Sequence, residues 1–218
     1  MTNRQPPAPR PLSRQERAGR TRQRIVQAAY RLFLERGYEA TTMQDVADTA
    51  GVAVQTMYYT FKTKAQLLAD VEMLAVLGDR PSAEWRNTPL ATGLLGAATV
   101  DELVAAFVAA DTNIKTRLAP FTVAVGAALP SDPEAVARRE SGRDEFFRLF
   151  IDRLASRHGL RPGMSAERAL DILRVVDSLP AFIELTTRRG WTLQQWQSWL
   201  IATIETQFLA EKNPETGA

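Results

Sequence analysis

The 218-residue chain reads as an all-α protein of about nine helices. A small N-terminal three-helix unit holding a helix-turn-helix precedes a larger helical domain. Three observations predict this. Apolar residues recur with helical spacing along nearly every ordered stretch, and no segment reads as a strand. Three capping-box sequences mark helix starts at Thr41/Thr42, Thr63 and Thr99. Charge is also unevenly placed: 11 Lys and Arg face 5 Asp and Glu through Lys64, against 16 and 20 afterwards. A basic first third on a mildly acidic remainder fits a nucleic-acid module joined to something else.

Residues 1 to 13 hold Pro6, Pro7, Pro9 and Pro11 and few apolar side chains, so disorder is expected. Arginines at 14, 17, 20, 22 and 24 then run into the first helix. Such an arm could follow phosphates or enter a minor groove, or could serve solubility alone. The expected division is an arm over 1–19, a helix-turn-helix domain over 20–66 and a helical domain over 67–218. Ile25, Ala28, Ala29, Leu32 and Phe33 mark the first helix, which stops at Gly37.

Met43, Val46, Ala47 and Ala50 fall on one face of a short second helix, and Gly51 breaks the period where a tight turn needs positive φ. Val54, Met57, Tyr58 and Phe61 form the next short period. Between them Gln55, Thr56, Tyr58, Tyr59 and Thr60 concentrate uncharged hydrogen-bonding groups in little more than a turn. A core hairpin has no need of that crowding, whereas a helix that reads base edges does.

Thr63 and Gln66 start a fourth helix carrying Leu67, Leu68, Val71, Leu74 and Ala75. Pro89, Gly93 and Gly96 weaken the pattern over 82–98, a loop or short helical turns. Helix resumes at Thr99 with Leu103, Phe107, Ile114 and Leu118. Pro120 and Pro130 then bracket a short apolar helix, Phe121 to Leu129. A long helix opens at Pro133 and runs to about His158. One helix from about Ser165 to Arg188, kinked at Pro180, and a last one from Thr192 to about Ala210 close the chain.

Composition excludes several classes. With 45% hydrophobic and 24% charged residues the chain is that of an ordinary globular protein. Cysteine is absent and His158 is the only histidine, which removes thiol nucleophiles, disulfides and the usual transition-metal clusters. No glycine-rich phosphate loop or metal-spaced cluster appears, so neither an enzyme nor a bound cofactor is expected. No apolar run approaches a membrane span and no signal-peptide core is present, so the expected location is cytoplasmic.

Thr42 to Leu68 closely resembles the helix-turn-helix signature of TetR-type transcriptional regulators. The matching residues are Thr42, Val46, Ala47, Ala50, Gly51 and Val52, then Thr56, Met57, Tyr58, Phe61, Thr63, Lys64, Leu67 and Leu68. The resemblance implies a three-helix DNA-binding unit, a larger ligand-binding domain and a homodimer built through the last two helices. It also implies a small-molecule effector that lowers DNA affinity by moving the fourth helix, as a repressor released from its operator. An activator, a ligand-independent regulator and a non-specific DNA binder are the alternatives. A non-specific binder would place lysine and arginine on the groove-facing helix, and none lies between Val54 and Phe61.

The carried-over positions suit distinct contacts. Gln55 could donate and accept at an adenine edge, Val54 could meet a thymine methyl, and Thr56 lies beside them. Gln44 matches a position that reaches bases in some relatives. Thr42, Tyr58, Tyr59, Thr60 and Lys64 suit phosphates, and Lys64 also stands at a helix N-terminus. Tyr58 has a second reading as a core residue. Two positions depart from the pattern. Ala53 replaces a capping serine at about 1 kcal/mol of local stability, and Thr60 replaces a longer histidine or tyrosine.

In the larger domain Trp85, Phe107, Phe121, Phe147 and Phe150 are candidate ligand-pocket walls. Asp111 falls on an apolar face and needs a partner: a structural pair with Arg143 or another basic residue, or a cationic or hydrogen-bonding ligand. Asp177 raises the same question. For the dimer, Ile172, Val176, Leu179 and Ile183 in one helix and Trp196, Trp199, Leu200, Ile204 and Phe208 in the other are broader than one core needs.

Overall fold

A computed structural model describes residues 13–78, 88–129 and 133–210. The chain divides into two compact units between Val71 and Glu72.

The first unit contains α1 (Arg14–Arg36), α2 (Met43–Ala50), α3 (Val54–Thr60) and the start of α4 (Lys64–Leu77). Its core is Ile25, Ala28, Ala29, Leu32 and Phe33 of α1 against Val46 and Ala47 of α2, Met57 and Phe61 around α3, and Leu67, Leu68 and Val71. Each lies at the spacing its helix needs to present one apolar face. Gly51 closes α2 at φ +63°, and its N–H donates to Asp48.

The second unit holds the end of α4, α5 (Pro89–Gly96), α6 (Val100–Val125), α7 (Pro133–Arg157), α8 (Ala166–Val176), α9 (Leu179–Phe182) and α10 (Leu193–Phe208). A π-helical turn over Ile183–Arg188 follows α9. Leu103, Val104, Phe107 and Val108 pack with Phe146, Phe147, Phe150, Ile151 and Leu154 of α7, and with residues of α8 and α10. Among the described residues there is no strand, and no helix is long and apolar enough to cross a membrane.

Three expectations are corrected. Arg14 to Gly19 are helical rather than part of an arm, because Ser13 and Glu16 form a capping box that starts α1 at Arg14. Residues 1–12 lie outside the described residues. Phe121 to Val125 do not make a separate helix, because α6 runs through Pro120. That proline sits on the exposed face, where a carbonyl it leaves unbonded can meet water, while Ala119 and Phe121 beside it are buried. The helix expected over 165–188 is instead divided before Pro180, with Asp177 closing α8 and Ser178 capping α9.

Arginine side chains recur as caps on other helices' C-termini, where backbone carbonyls lack intrahelical partners. Arg24 donates to Ala50 O and Gly51 O at the end of α2. Arg157 donates to Ala97 O beyond α5, and Arg161 to Thr206 O near the end of α10. Arg117 of α6 reaches the last turn of α4.

Candidate nucleic-acid interface and buried polar cluster

The two short helices are locked by their own residues. Thr42 Oγ1 accepts from the Asp45 N–H at 3.1 Å, and the Asp45 carboxylate accepts from the Thr42 N–H at 2.8 Å. Hydrogen bonds from Thr42 hold Asp45 below the usual carboxylate range. The Thr42 hydroxyl also donates to Asp45 at 2.6 Å, so its proton is already used. α3 begins at Ala53 without a side-chain cap, and its core side is anchored by Met57 and Phe61, 0% and 1% exposed. The rest of the helix is thereby turned outward.

Gln55 and Thr56 are exposed and Val54 is half-buried. Tyr58 is 52% and Tyr59 89% exposed, which removes the core reading of Tyr58. Thr60 donates its hydroxyl to Thr56 O at 2.8 Å. Gln44 is exposed, with its amide donating to Asp48 at 2.8 Å, and reading a base would require releasing that bond. Lys64 lies 4.1 Å from the Tyr38 ring centroid and donates to Glu39 O at 3.4 Å, a placement that holds an ammonium group at the N-terminus of α4. The surface therefore combines uncharged hydrogen-bonding groups with a flanking cation.

Two of the N-terminal arginines are structural. Arg22 pairs with Asp70 at 2.7 Å and covers the Phe61 ring at 4.3 Å. Arg24 caps α2. Neither role leaves the guanidinium free to follow a phosphate, and neither could be told from the run of arginines alone.

In the second unit Asp111 is 5%, Lys115 4% and Asp177 0% exposed. The Lys115 ammonium donates to the Asp111 carboxylate one turn away on α6 and to Asp177 Oδ1 at 2.6 Å. The basic partner of Asp111 is Lys115, not Arg143, which is exposed on α7. Burial pushes the Asp177 carboxyl well up, helped by Asp111 and opposed by Lys115. Burial would push Lys115 down, but the two carboxylates outweigh it and hold the ammonium above its ordinary range. Asp177 Oδ2, Thr112 Oγ1 and Trp196 Nε1 have no hydrogen-bond partner among the described residues. The Trp196 ring centroid lies 5.8 Å from Lys115 Nζ.

The aromatic wall candidates are packed against one another. Phe107 stacks on Phe150 at 4.1 Å and on Phe146 at 5.3 Å, and meets Phe147 edge-on at 5.6 Å. Phe121 is fully buried, and Trp85 lies outside the described residues. An open cleft of about 500 Å³ beside α10 is lined by Trp191, Gln194, Gln195, Ser198 and Trp199. Of its walls only Trp199 is marked by the sequence, as an expected dimer-interface residue.

Four residues expected at a dimer interface are corrected. Trp196, Leu200, Ile204 and Phe208 are each 0% exposed within the single chain. They recur every fourth residue and form the stripe of α10 that fills its own core. Ile172, Val176, Leu179, Ile183 and Trp199 remain half-buried, and Val175 is 72% exposed.

The model of bacterial regulatory proteins of the tetR family matches residues 25–71. The transcriptional repressor KstR2 of Mycolicibacterium smegmatis is 40% identical over 50 residues, 23% of this chain and 24% of its own length. The transcriptional regulator TtgR of Pseudomonas putida is 43% identical over 53 residues, 24% and 25% of the two chains. The chain thus spans about a quarter of the length of these curated relatives. NalD, the secondary repressor of the MexAB-OprM multidrug efflux pump in Pseudomonas aeruginosa, superposes with TM-score 0.63 at 21% identity, over 90% of this chain and 100% of NalD. The fatty acid degradation regulator FadR from Bacillus halodurans gives 0.66 at 15% identity, over 84% and 94%. At such identities the likeness speaks for the fold alone.

Proposed function

From the match of residues 25–71 to the model of bacterial regulatory proteins of the tetR family, we propose that the chain is a dimeric, sequence-specific DNA-binding transcriptional repressor, released from a pseudo-palindromic operator by a small-molecule effector. The observation that carries the reading is the outer face of α3. Gln55, Thr56, Tyr58 and Tyr59 stand exposed there, without a lysine or arginine in the helix. A surface of that kind gains little from phosphates in general and much from a particular set of base edges. Lys64 flanks it as a backbone contact, and Thr42 and Thr60 join it by redirecting hydroxyl protons now given to Asp45 and to Thr56 O.

Dimerisation is supported by the apolar surface that remains once the core is filled: Ile172, Val175, Val176, Leu179, Ile183 and Trp199. A two-fold pair presents two copies of α3 to successive major-groove segments, which is why the operator should be an inverted repeat. The effector reading rests on the buried Asp111, Lys115 and Asp177, a polar cluster with one carboxylate more than it has ammonium groups. The cytoplasm, where the operator is, is the working location.

Selection of bound sequences from a random duplex pool at physiological salt tests the proposal, with enrichment of one inverted repeat as the expected result. Salt-sensitive binding without enrichment would reduce the protein to a non-specific binder. On the selected site Gln55→Ala should cost about 1–3 kcal/mol and relax preference at one or two base pairs. Lys64→Ala should weaken all sequences alike and flatten the salt dependence. Titration of both variants against the selected and a scrambled duplex separates the two effects. Equal losses on both duplexes for Gln55→Ala would remove its base-reading role.

A further inference from the structure

The first two turns of α1 bury nothing. Residues 13–20 are all exposed, and the core of the first unit begins at Ile25. Such a stretch lacks the packed face that sustains most helices in proteins, yet its start is fixed. The Ser13 N–H donates to the Glu16 carboxylate at 2.6 Å, and Ser13 Oγ accepts from the Glu16 N–H at 3.2 Å. These turns carry Arg14, Arg17 and Arg20. A step of three residues turns a helix by about 300°, so the three side chains fall within an arc of about 120°. Arg24, four residues beyond Arg20, falls in the same arc. Its guanidinium donates to Gly51 O at 3.1 Å, in the turn between α2 and α3. Arg22 Nη1 reaches Thr60 O, at the other end of α3, at 3.5 Å. α1 is thus tied to both ends of α3 and continues about 12 Å N-terminal of Arg22.

Arg22 and Arg24 are occupied, one by Asp70 and the Phe61 ring, the other by the end of α2. Arg14 and Arg17 make no side-chain hydrogen bond or ion pair among the described residues. Arg20 has the Glu16 carboxylate, one turn away, as an electrostatic neighbour, and Ser13 already holds that carboxylate. Attraction to phosphate supplies a large share of the affinity of DNA-binding proteins, and α3 has no cation to contribute to it. The helical form decides which part of a duplex these guanidiniums meet. A helix with its side chains is about 10–12 Å across, against a minor groove about 6 Å wide. Insertion into that groove is open to an extended arm and closed to a helix. The phosphates along the groove edge are what this segment reaches.

We infer that Arg14, Arg17 and Arg20 form a phosphate-binding ridge on α1, which holds the DNA backbone beside the segment that α3 reads and adds affinity without sequence preference. This rests on the DNA-binding reading above and gives it a second contact surface. From Arg14 to Arg20 the ridge extends about 9 Å along the helix axis. That length matches two to three successive phosphates of one strand, which advance about 3.4 Å per step.

The test compares the full-length protein with a variant carrying Arg14→Gln, Arg17→Gln and Arg20→Gln, on the operator selected from the random pool. Glutamine has nearly the helix propensity of arginine and no core residue is touched, so the far-ultraviolet spectrum and thermal transition should stay as in the wild type. The slope of log affinity against log salt should flatten by about 5, since about six phosphate contacts in a dimer release about 0.9 counterion each. Ethylation interference should reveal neighbouring phosphates in each half-site to which the wild type is sensitive and the variant is not. Selection with the variant should return the same repeat as the wild type. An unchanged salt slope with unchanged interference would overturn the ridge and leave the DNA-binding reading standing. Lost base preference at any position of the variant's repeat would also overturn it, because these arginines would then be reading bases. Should the triple variant fail to fold, Arg17→Gln alone should flatten the slope by about 2, and an unchanged slope there counts against the ridge in the same way. A wild type that binds no member of the pool overturns the DNA-binding reading and the ridge with it.

Discussion

Lys115→Met is expected to cost about 3–5 kcal/mol of folding stability at neutral pH, because it leaves two buried carboxylates without a cation. Methionine fills much the same space, so packing loss is small beside the electrostatic one. The loss should shrink in acid, where Asp177, raised by burial, takes up a proton and no longer repels Asp111. The wild type already leans that way. Asp177 is held well above its ordinary value of 3.8, first by burial and then by Asp111. Folding therefore takes up a proton at Asp177 over the window between 3.8 and the raised folded value. Its contribution is complete below the unfolded value and is lost as pH rises through the folded one. Asp177→Asn, which keeps the shape and removes the titrating group, should flatten that dependence and leave Lys115 paired one to one with Asp111. Urea denaturation of the three proteins across pH measures all of this. A Lys115→Met variant as stable as the wild type at neutral pH would mean that the cluster is solvated in solution and not a dry ion triad.

That cluster also marks the limit of what the sequence could tell. Asp111 stands out because it interrupts an apolar face, which calls for a partner but leaves open whether that is Arg143, another basic residue or a ligand. The signal for Lys115 was local: an acid and a lysine four residues apart on one helix lie one above the other. Asp177 completes the cluster from 62 positions away, and no local pattern announces it. The helix-turn-helix was legible for the converse reason. Its Thr42 cap, its Gly51 turn and the Met57/Phe61 anchor all act within a few residues of themselves. The arginines were the least legible. Arg22, Arg24 and Arg117 look alike in sequence, yet one covers a phenylalanine, one caps α2 and one caps α4. A cap on a distant carbonyl depends on which helix ends nearby, and only the fold decides that. Breadth of apolar surface misled in the same way. In α10 it combined a core stripe, Trp196 to Phe208, with the half-buried Trp199 beside it.

Phe107→Ala is the second large effect, about 3–5 kcal/mol, and it bears on whether the two units are separate cooperative bodies. Phe107 is fully buried and meets three other phenylalanine rings. Its removal takes the centre out of the α6–α7 packing, and the stiff neighbouring rings cannot close the gap. In native-state amide exchange the variant should lose protection throughout α6, α7 and α10. Protection of α1 and α2 depends on a different core, that of Ile25, Leu32, Phe33 and Val46. If each unit opens on its own, those amides keep their wild-type rates and selected-operator binding persists at temperatures below the second unit's transition. If α4, which is shared, makes the chain open as one body, protection in α1 and α2 falls by the same free energy as in α6. The second outcome would make the stability of the whole chain part of any effector response. A molecule that tightened the second unit would then also stabilise α1 and α2. The first outcome would confine any such tightening to the second unit, with the α1 and α2 core left at its own stability.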